Sequence, residues 1–122
     1  MSDFKILIVE DEVISGMLLK HILKIEGFYV TELVTTGEKA IESVKSNPPN
    51  LILMDIQLAG KISGIDAVIE IQIFSSIPVI FITGYDDIEI KNKALALNPA
   101  GFFNKPLFNN ELIKKINEIK DK

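Results

Sequence analysis

Apolar residues along this chain gather into two alternating kinds of segment. Unbroken short runs at Ile6-Leu7-Ile8-Val9, Leu51-Ile52-Leu53-Met54 and Val79-Ile80-Phe81-Ile82 predict strands buried on both faces, as in a parallel sheet. The five predicted strands are Lys5–Val9, Tyr29–Val34, Leu51–Met54, Pro78–Ile82 and Gly101–Asn104. Between them the apolar spacing turns helical. Ile14, Met17, Leu18, Ile22 and Ile25 share one helix face, which Gly27 can close as a left-handed cap. Thr35 with Glu38, and Asp86 with Glu89, have capping-box spacing and predict the starts of the second and fourth helices. Gly64–Phe74 is apolar nearly all round and is assigned as the third helix from its place between strands. Phe108, Leu112, Ile116 and Ile119 form the buried stripe of the last helix. Strict strand–helix alternation predicts an α/β fold: a doubly wound five-stranded parallel sheet with right-handed crossovers and helices on both faces.

Composition narrows the setting. The 122 residues suit one domain over positions 1–122, and 48 % hydrophobic content supplies its core. There is no cysteine, which excludes disulfides, thiolate catalysis and cysteine-based metal sites, and fits a cytoplasmic location. No leader pattern opens the chain, and no uncharged apolar run reaches about 18 residues, so neither secretion nor membrane spanning is expected. The net charge is −4 and every basic residue is lysine, which argues against direct nucleic-acid binding.

In open parallel sheets, ligands bind beyond the carboxyl ends of the strands. Glu10, Asp11 and Glu12 follow the first strand, Asp55 the third, Thr83-Gly84 the fourth and Lys105-Pro106 the fifth. The second strand, expected at an edge, contributes no candidate. An acidic first turn is the reverse of a nucleotide-binding loop, which needs glycines and free N–H groups. Clustered with Asp55, Glu10 and Asp11 instead offer hard oxygen donors suited to Mg²⁺, whereas Glu12 reads as the helix start. Asp55 ends an apolar strand, where a carboxylate is costly unless paired or coordinated. It has the character of a nucleophile that forms an acyl phosphate, with Mg²⁺ and Lys105 as counter-charges. Thr83 would offer a hydroxyl to the phosphoryl group, Gly84 would permit close backbone approach, and a cis Lys105–Pro106 bond could turn the lysine into the pocket.

The segments ILIVEDE (6–12), LILMDIQL (51–58), PVIFITGY (78–85) and GFFNKPL (101–107) together resemble the receiver domain of two-component response regulators. That resemblance implies a flavodoxin-like (βα)5 fold with strand order 2-1-3-4-5. It implies phosphoryl transfer from a histidine kinase or phosphotransfer protein to Asp55, followed by a conformational switch that controls a downstream protein. The module would not be an enzyme in its own right, although it supports its own phosphorylation and dephosphorylation. Mg²⁺ would be held by Asp11 and Asp55, by Glu10 directly or through water, and by the Gln57 backbone carbonyl. Thr83 and Phe102 would form the switch, and Lys105 would pair with Asp55 and then with the phosphate. The loop IQLAGKISG after Asp55 is longer than the commonest form and matches a subgroup with a G-x-x-x-G pattern. Phe102 stands where tyrosine is frequent, so it has no hydroxyl to hydrogen-bond.

Other features read as structural. His21 is a partly exposed helix residue, one of Phe102 and Phe103 is core, and Tyr85 could border the pocket. Lys114, Lys115, Lys120 and Lys122 alternate with acids as a solvated helix face. Two rival functions are an aspartate-nucleophile phosphatase of haloacid-dehalogenase type and a pseudo-receiver that binds partners without phosphorylation. The first would want an aspartate where Gln57 stands.

Overall fold

Strands form where the unbroken apolar runs predict them, because only a two-sided core rewards such runs. The computed structural model describes residues 3–84, 86–105 and 109–122, omitting the side chain of Asn109. Its strands are β1 (Lys5–Val9), β2 (Tyr29–Val34), β3 (Leu51–Asp55), β4 (Val79–Thr83) and β5 (Gly101–Asn104). All pair in parallel in the order β2-β1-β3-β4-β5. β3 includes Asp55, and β4 lies one residue later than its apolar run suggests. Backbone pairing carries the ladder past the last apolar residue, through Asp55 with Ile82 and Thr83 with Asn104.

The helices are α1 (Val13–Ile25), α2 (Gly37–Ser46), α3 (Gly64–Phe74), α4 (Ile88–Leu95) and α5 (Asn109–Lys120). Alternate strand residues feed two cores. Leu7, Val9, Ile52, Met54, Val79 and Phe81 pack with residues of α2, α3 and α4. Ile6, Ile8, Leu51, Leu53, Ile80 and Ile82 pack with α1 and α5. Phe102 and Phe103 are both half-buried and join opposite cores, so the pair divides between the two faces.

The predicted face of α1 is corrected. Ile14, Met17, Leu18 and Ile25 are exposed, Ile14 at 85 %, and Ile22 is half-buried. The helix instead turns Gly16, Leu19 and Leu23 inward. Gly16 sets that orientation, since a Cβ there would stand 2.7 Å from Leu33 Cδ1. Gly27 does close the helix in the left-handed region, at φ +92°.

Two caps shift by one residue. Thr36, not Thr35, caps α2 by accepting the Lys39 N–H at 3.1 Å. Asp87, not Asp86, caps α4, accepting from the N–H groups of Glu89 and Ile90. The full capping box belongs to α3, where Ser63 and Asp66 bond reciprocally. Leu112 and Ile116 are buried on α5, as expected. Tyr85, Phe108 and the Lys105–Pro106 peptide bond lie outside the described residues. Among the described residues, no helix is long and apolar enough to cross a membrane.

Candidate functional site

Strand register assembles the site. Val9 pairs with Met54, so Glu10 arrives beside Asp55 at the same end of the sheet. Thr83 pairs with Asn104, so Lys105 follows on the next strand over, its N–H donating to the Thr83 carbonyl at 2.7 Å. Strand alternation then sorts the side chains. Glu10 is in phase with Ile6 and Ile8, Asp55 with Leu51 and Leu53, and Lys105 with Phe103, all on the α1/α5 face. Thr83 is in phase with Val79 and Phe81, on the face that also holds Phe102.

The Lys105 ammonium donates to Glu10 Oε1 at 2.6 Å and to Asp55 Oδ2 at 3.0 Å. The two carboxylates are nearly buried, with side chains 8 % and 6 % exposed. Backbone amides hold their remaining oxygens: Glu12 N–H donates to Glu10 Oε2, and Gln57 N–H to Asp55 Oδ1, each at 3.1 Å. Burial disfavours the charged lysine, yet hydrogen bonds to Glu10 and Asp55, and their charges, outweigh it and raise its pKa above the ordinary 10.5. Lys105 is therefore a fixed cation across the physiological range.

Asp11 completes the acidic group. One carboxylate oxygen from each of Glu10, Asp11 and Asp55 lies within 4.8 Å of the others. Three hard oxygens against one ammonium leave an excess of negative charge, and Asp11 is partly open to water. That donor set fits a small hard cation that keeps part of its water shell.

Thr83 is buried at 1 % exposure, beneath the same rim. Gln57 is exposed and follows Asp55 directly into the loop toward α3. Among the described residues a Cβ on Gly84 would meet only Lys105 Cδ, at 4.0 Å, so no contact with them demands glycine there. His21 is exposed on α1.

Two contacts go beyond the sequence reading. Glu10 takes the shorter of the two strong lysine bonds, and Glu12, expected only to begin α1, brings its carboxylate 3.5 Å from Lys105 Nζ. Alternation along each strand end could have placed Glu10, Asp55 and Lys105 on one face; no signal in the sequence indicates Glu12.

Residues 6–117 match the response regulator receiver domain. The chain belongs to that family. It is 31 % identical over 115 residues to the transcriptional regulatory protein BaeR of Escherichia coli O6:H1, covering 94 % of this chain and 47 % of that protein. It is 38 % identical over 110 residues to a cyclic di-GMP phosphodiesterase of Thermotoga maritima, covering 89 % of this chain and 28 % of that one. The chain thus spans half or less of these curated relatives. Among solved structures, a CheY-like receiver domain protein from Methanospirillum hungatei superposes with a TM-score of 0.90 at 27 % identity, covering 98 % and 96 % of the two chains. The receiver fold and the expected strand order are both present, and the chain is a signalling domain of the response regulator type.

Proposed function

We propose that Asp55 is the phosphoryl acceptor of this receiver domain, that Glu10 and Asp11 join it in holding Mg²⁺, and that the unit over residues 1–122 switches conformation to control a partner protein. One observation carries the reading: a nearly buried aspartate with an ammonium at 3.0 Å and two further carboxylates within 4.8 Å. When bound, Mg²⁺ supplies positive charge that offsets repulsion between Asp55 and the incoming phosphoryl oxygens. Gln57 would add its backbone carbonyl as a further donor.

In the transfer, a carboxylate oxygen of Asp55 forms a bond to phosphorus as the bond to the donor's histidine nitrogen breaks. The Lys105 ammonium then turns from the carboxylates to the phosphoryl oxygens. Thr83, buried on the Phe102 face, donates its hydroxyl to another of those oxygens, and the Phe102 ring follows. Hydrolysis of the acyl phosphate returns the carboxylate. The donor is a histidine kinase or phosphotransfer protein, the setting is cytoplasmic, and the output passes to another protein rather than to nucleic acid.

Val13, Ile14, Met17 and Leu18 give α1 an exposed apolar flank next to this rim, which suits a protein phosphodonor. Gln57 at the second position after Asp55 weighs against the phosphatase alternative, and the assembled ion pairs weigh against a pseudo-receiver. Intact mass after acetyl phosphate with Mg²⁺ tests the assignment. Wild type should gain a phosphoryl adduct and Asp55→Asn should not. No adduct on wild type, or an equal adduct on Asp55→Asn, refutes it.

A further inference from the structure

The acceptor residues themselves do not hold the whole of the loop that joins β3 to α3, residues 56–63. Near Asp55 it is fixed by the Gln57 N–H, and at its far end by the Gly64 N–H, which donates to the Ile56 carbonyl at 2.8 Å. A Cβ on Gly64 would collide with the Asp55 carbonyl, so the loop must close on glycine. Its outer part rests on the start of α2. Ala59 pairs with Thr36 as an isolated parallel bridge. Lys61 N–H donates to Glu38 Oε2 at 3.2 Å. Gly60 has φ +97°, and a Cβ there would stand 3.0 Å from Glu38 Oε1 and 3.4 Å from the Thr36 side chain. Ile62 covers Gly37, where a Cβ would meet Ile62 Cγ1 at 2.7 Å.

Glu38 is therefore not spent on capping α2, although it sits in that helix's first turn. Its two oxygens face the loop tip. A loop free at its tip would have to be ordered when an ion binds, and ordering opposes binding. Groups behind a metal ligand commonly fix its orientation in this way.

We propose that Glu38 is a positioning residue for cation binding: it holds loop 56–63 against α2 and so fixes the backbone at Gln57 beside Asp55. This rests on the acceptor-site reading above. The two glycines of the G-x-x-x-G pattern, Gly60 and Gly64, then serve one purpose, since each lets the loop approach the surface that anchors it.

The test titrates Mg²⁺ into wild type, Glu38→Ala, Glu38→Gln and Gly60→Ala by calorimetry, with amide NMR shifts at Gln57 and Lys61 as a second readout. Glu38 is exposed, so its variants should fold and melt close to wild type. Glu38→Ala and Gly60→Ala should raise the Mg²⁺ Kd about threefold to tenfold, below the usual loss for a fully buried supporting group. Glu38→Gln keeps an acceptor oxygen and should stay within about twofold of wild type. An unchanged Kd in Glu38→Ala overturns the proposal. So does a Glu38→Gln as weak as Glu38→Ala, which would mean charge rather than the tether. A wild type that binds no Mg²⁺, or binds it equally well as Asp55→Asn, overturns the acceptor-site reading and the tether with it.

Discussion

Replacing Lys105 with alanine removes the ammonium that Glu10 and Asp55 share and leaves two nearly buried carboxylates facing each other. Breaking a fully buried pair by deleting one partner costs about 3–5 kcal/mol, because an uncompensated charge stays behind. The Lys105 side chain is 25 % exposed, so water reaches the pocket and the cost falls to about 2 kcal/mol. For a domain of this size that is a fall of about 8 °C in Tm, at roughly 4 °C per kcal/mol. Mg²⁺ should then narrow the gap, because the ion no longer competes with an ammonium for Glu10 and Asp55. Wild type gains from the ion as well, so the gap shrinks by the difference in binding, about 1.4 kcal/mol for each tenfold by which the variant binds Mg²⁺ more tightly. The pH dependence has a definite sign. A lysine pKa raised in the folded state stabilises fully below the unfolded value of 10.5 and loses that contribution only as pH rises through the folded value. The lysine's share of the gap should thus be constant from about pH 6 to about pH 9. Thermal melts followed by far-UV circular dichroism, with and without Mg²⁺, measure all of this. A Tm within about 1 °C of wild type in chelator, or a deficit that Mg²⁺ fails to shrink, would refute the charge-compensation argument.

Loss of the phosphoryl adduct in Asp55→Asn and weaker Mg²⁺ binding in Glu38→Ala are the functional predictions already set out. Gly64→Ala should cost about 3 kcal/mol in urea denaturation, since its methyl would meet the Asp55 backbone carbonyl rather than a side chain that could rotate away. On α1, Ile14→Ser should change stability by less than about 0.5 kcal/mol, whereas Leu23→Ala should cost about 3 kcal/mol by the same measurement. The opposite ranking would restore the helix face predicted from apolar spacing.

That helix marks where the sequence stopped being readable. Strands were legible because a run such as Leu51–Met54 has no polar member and therefore fits only a two-sided core. In α1, Val13, Ile14, Met17, Leu18, Leu19, Ile22, Leu23 and Ile25 spread apolarity around the whole helix, so several stripes fit equally well. The side that wins is marked by Gly16, which pattern counting treats as a gap and packing treats as the point of closest approach. The caps failed for a related reason. Tandem Thr35-Thr36 and Asp86-Asp87 each offer two registers, and Glu38 completes the wrong one because its carboxylate serves the loop. The true box at Ser63 was missed because its partner, Asp66, is an aspartate rather than the expected glutamate or glutamine. Asp55, Glu10, Asp11 and Lys105 were legible through strand ends alone, since register in a parallel sheet brings consecutive strand ends to one rim. Their exact pairing depends on side-chain reach, which the sequence does not carry.

Phase along the strands also constrains how a change at Asp55 could reach Phe102. Glu10, Asp55 and Lys105 occupy the α1/α5 face, while Thr83 and Phe102 belong to the face covered by α2, α3 and α4. The closely packed sheet lies between, with Ile80, Phe81 and Ile82 buried. A direct hydrogen-bonded link between the two faces runs over the rim, where Thr83 and Lys105 stand at the ends of neighbouring strands. Lys105 joins the two faces: its side chain bonds Asp55 on one, and its own N–H bonds the Thr83 carbonyl at 2.7 Å on the other strand end. Beyond Thr83, Phe102 is held from α4 by the Lys91 ammonium, 5.6 Å from the ring centroid. Moving the lysine side chain therefore need not break the link to Thr83, while the Phe102 ring is held both by Lys91 and by its packing against the core beneath α2, α3 and α4.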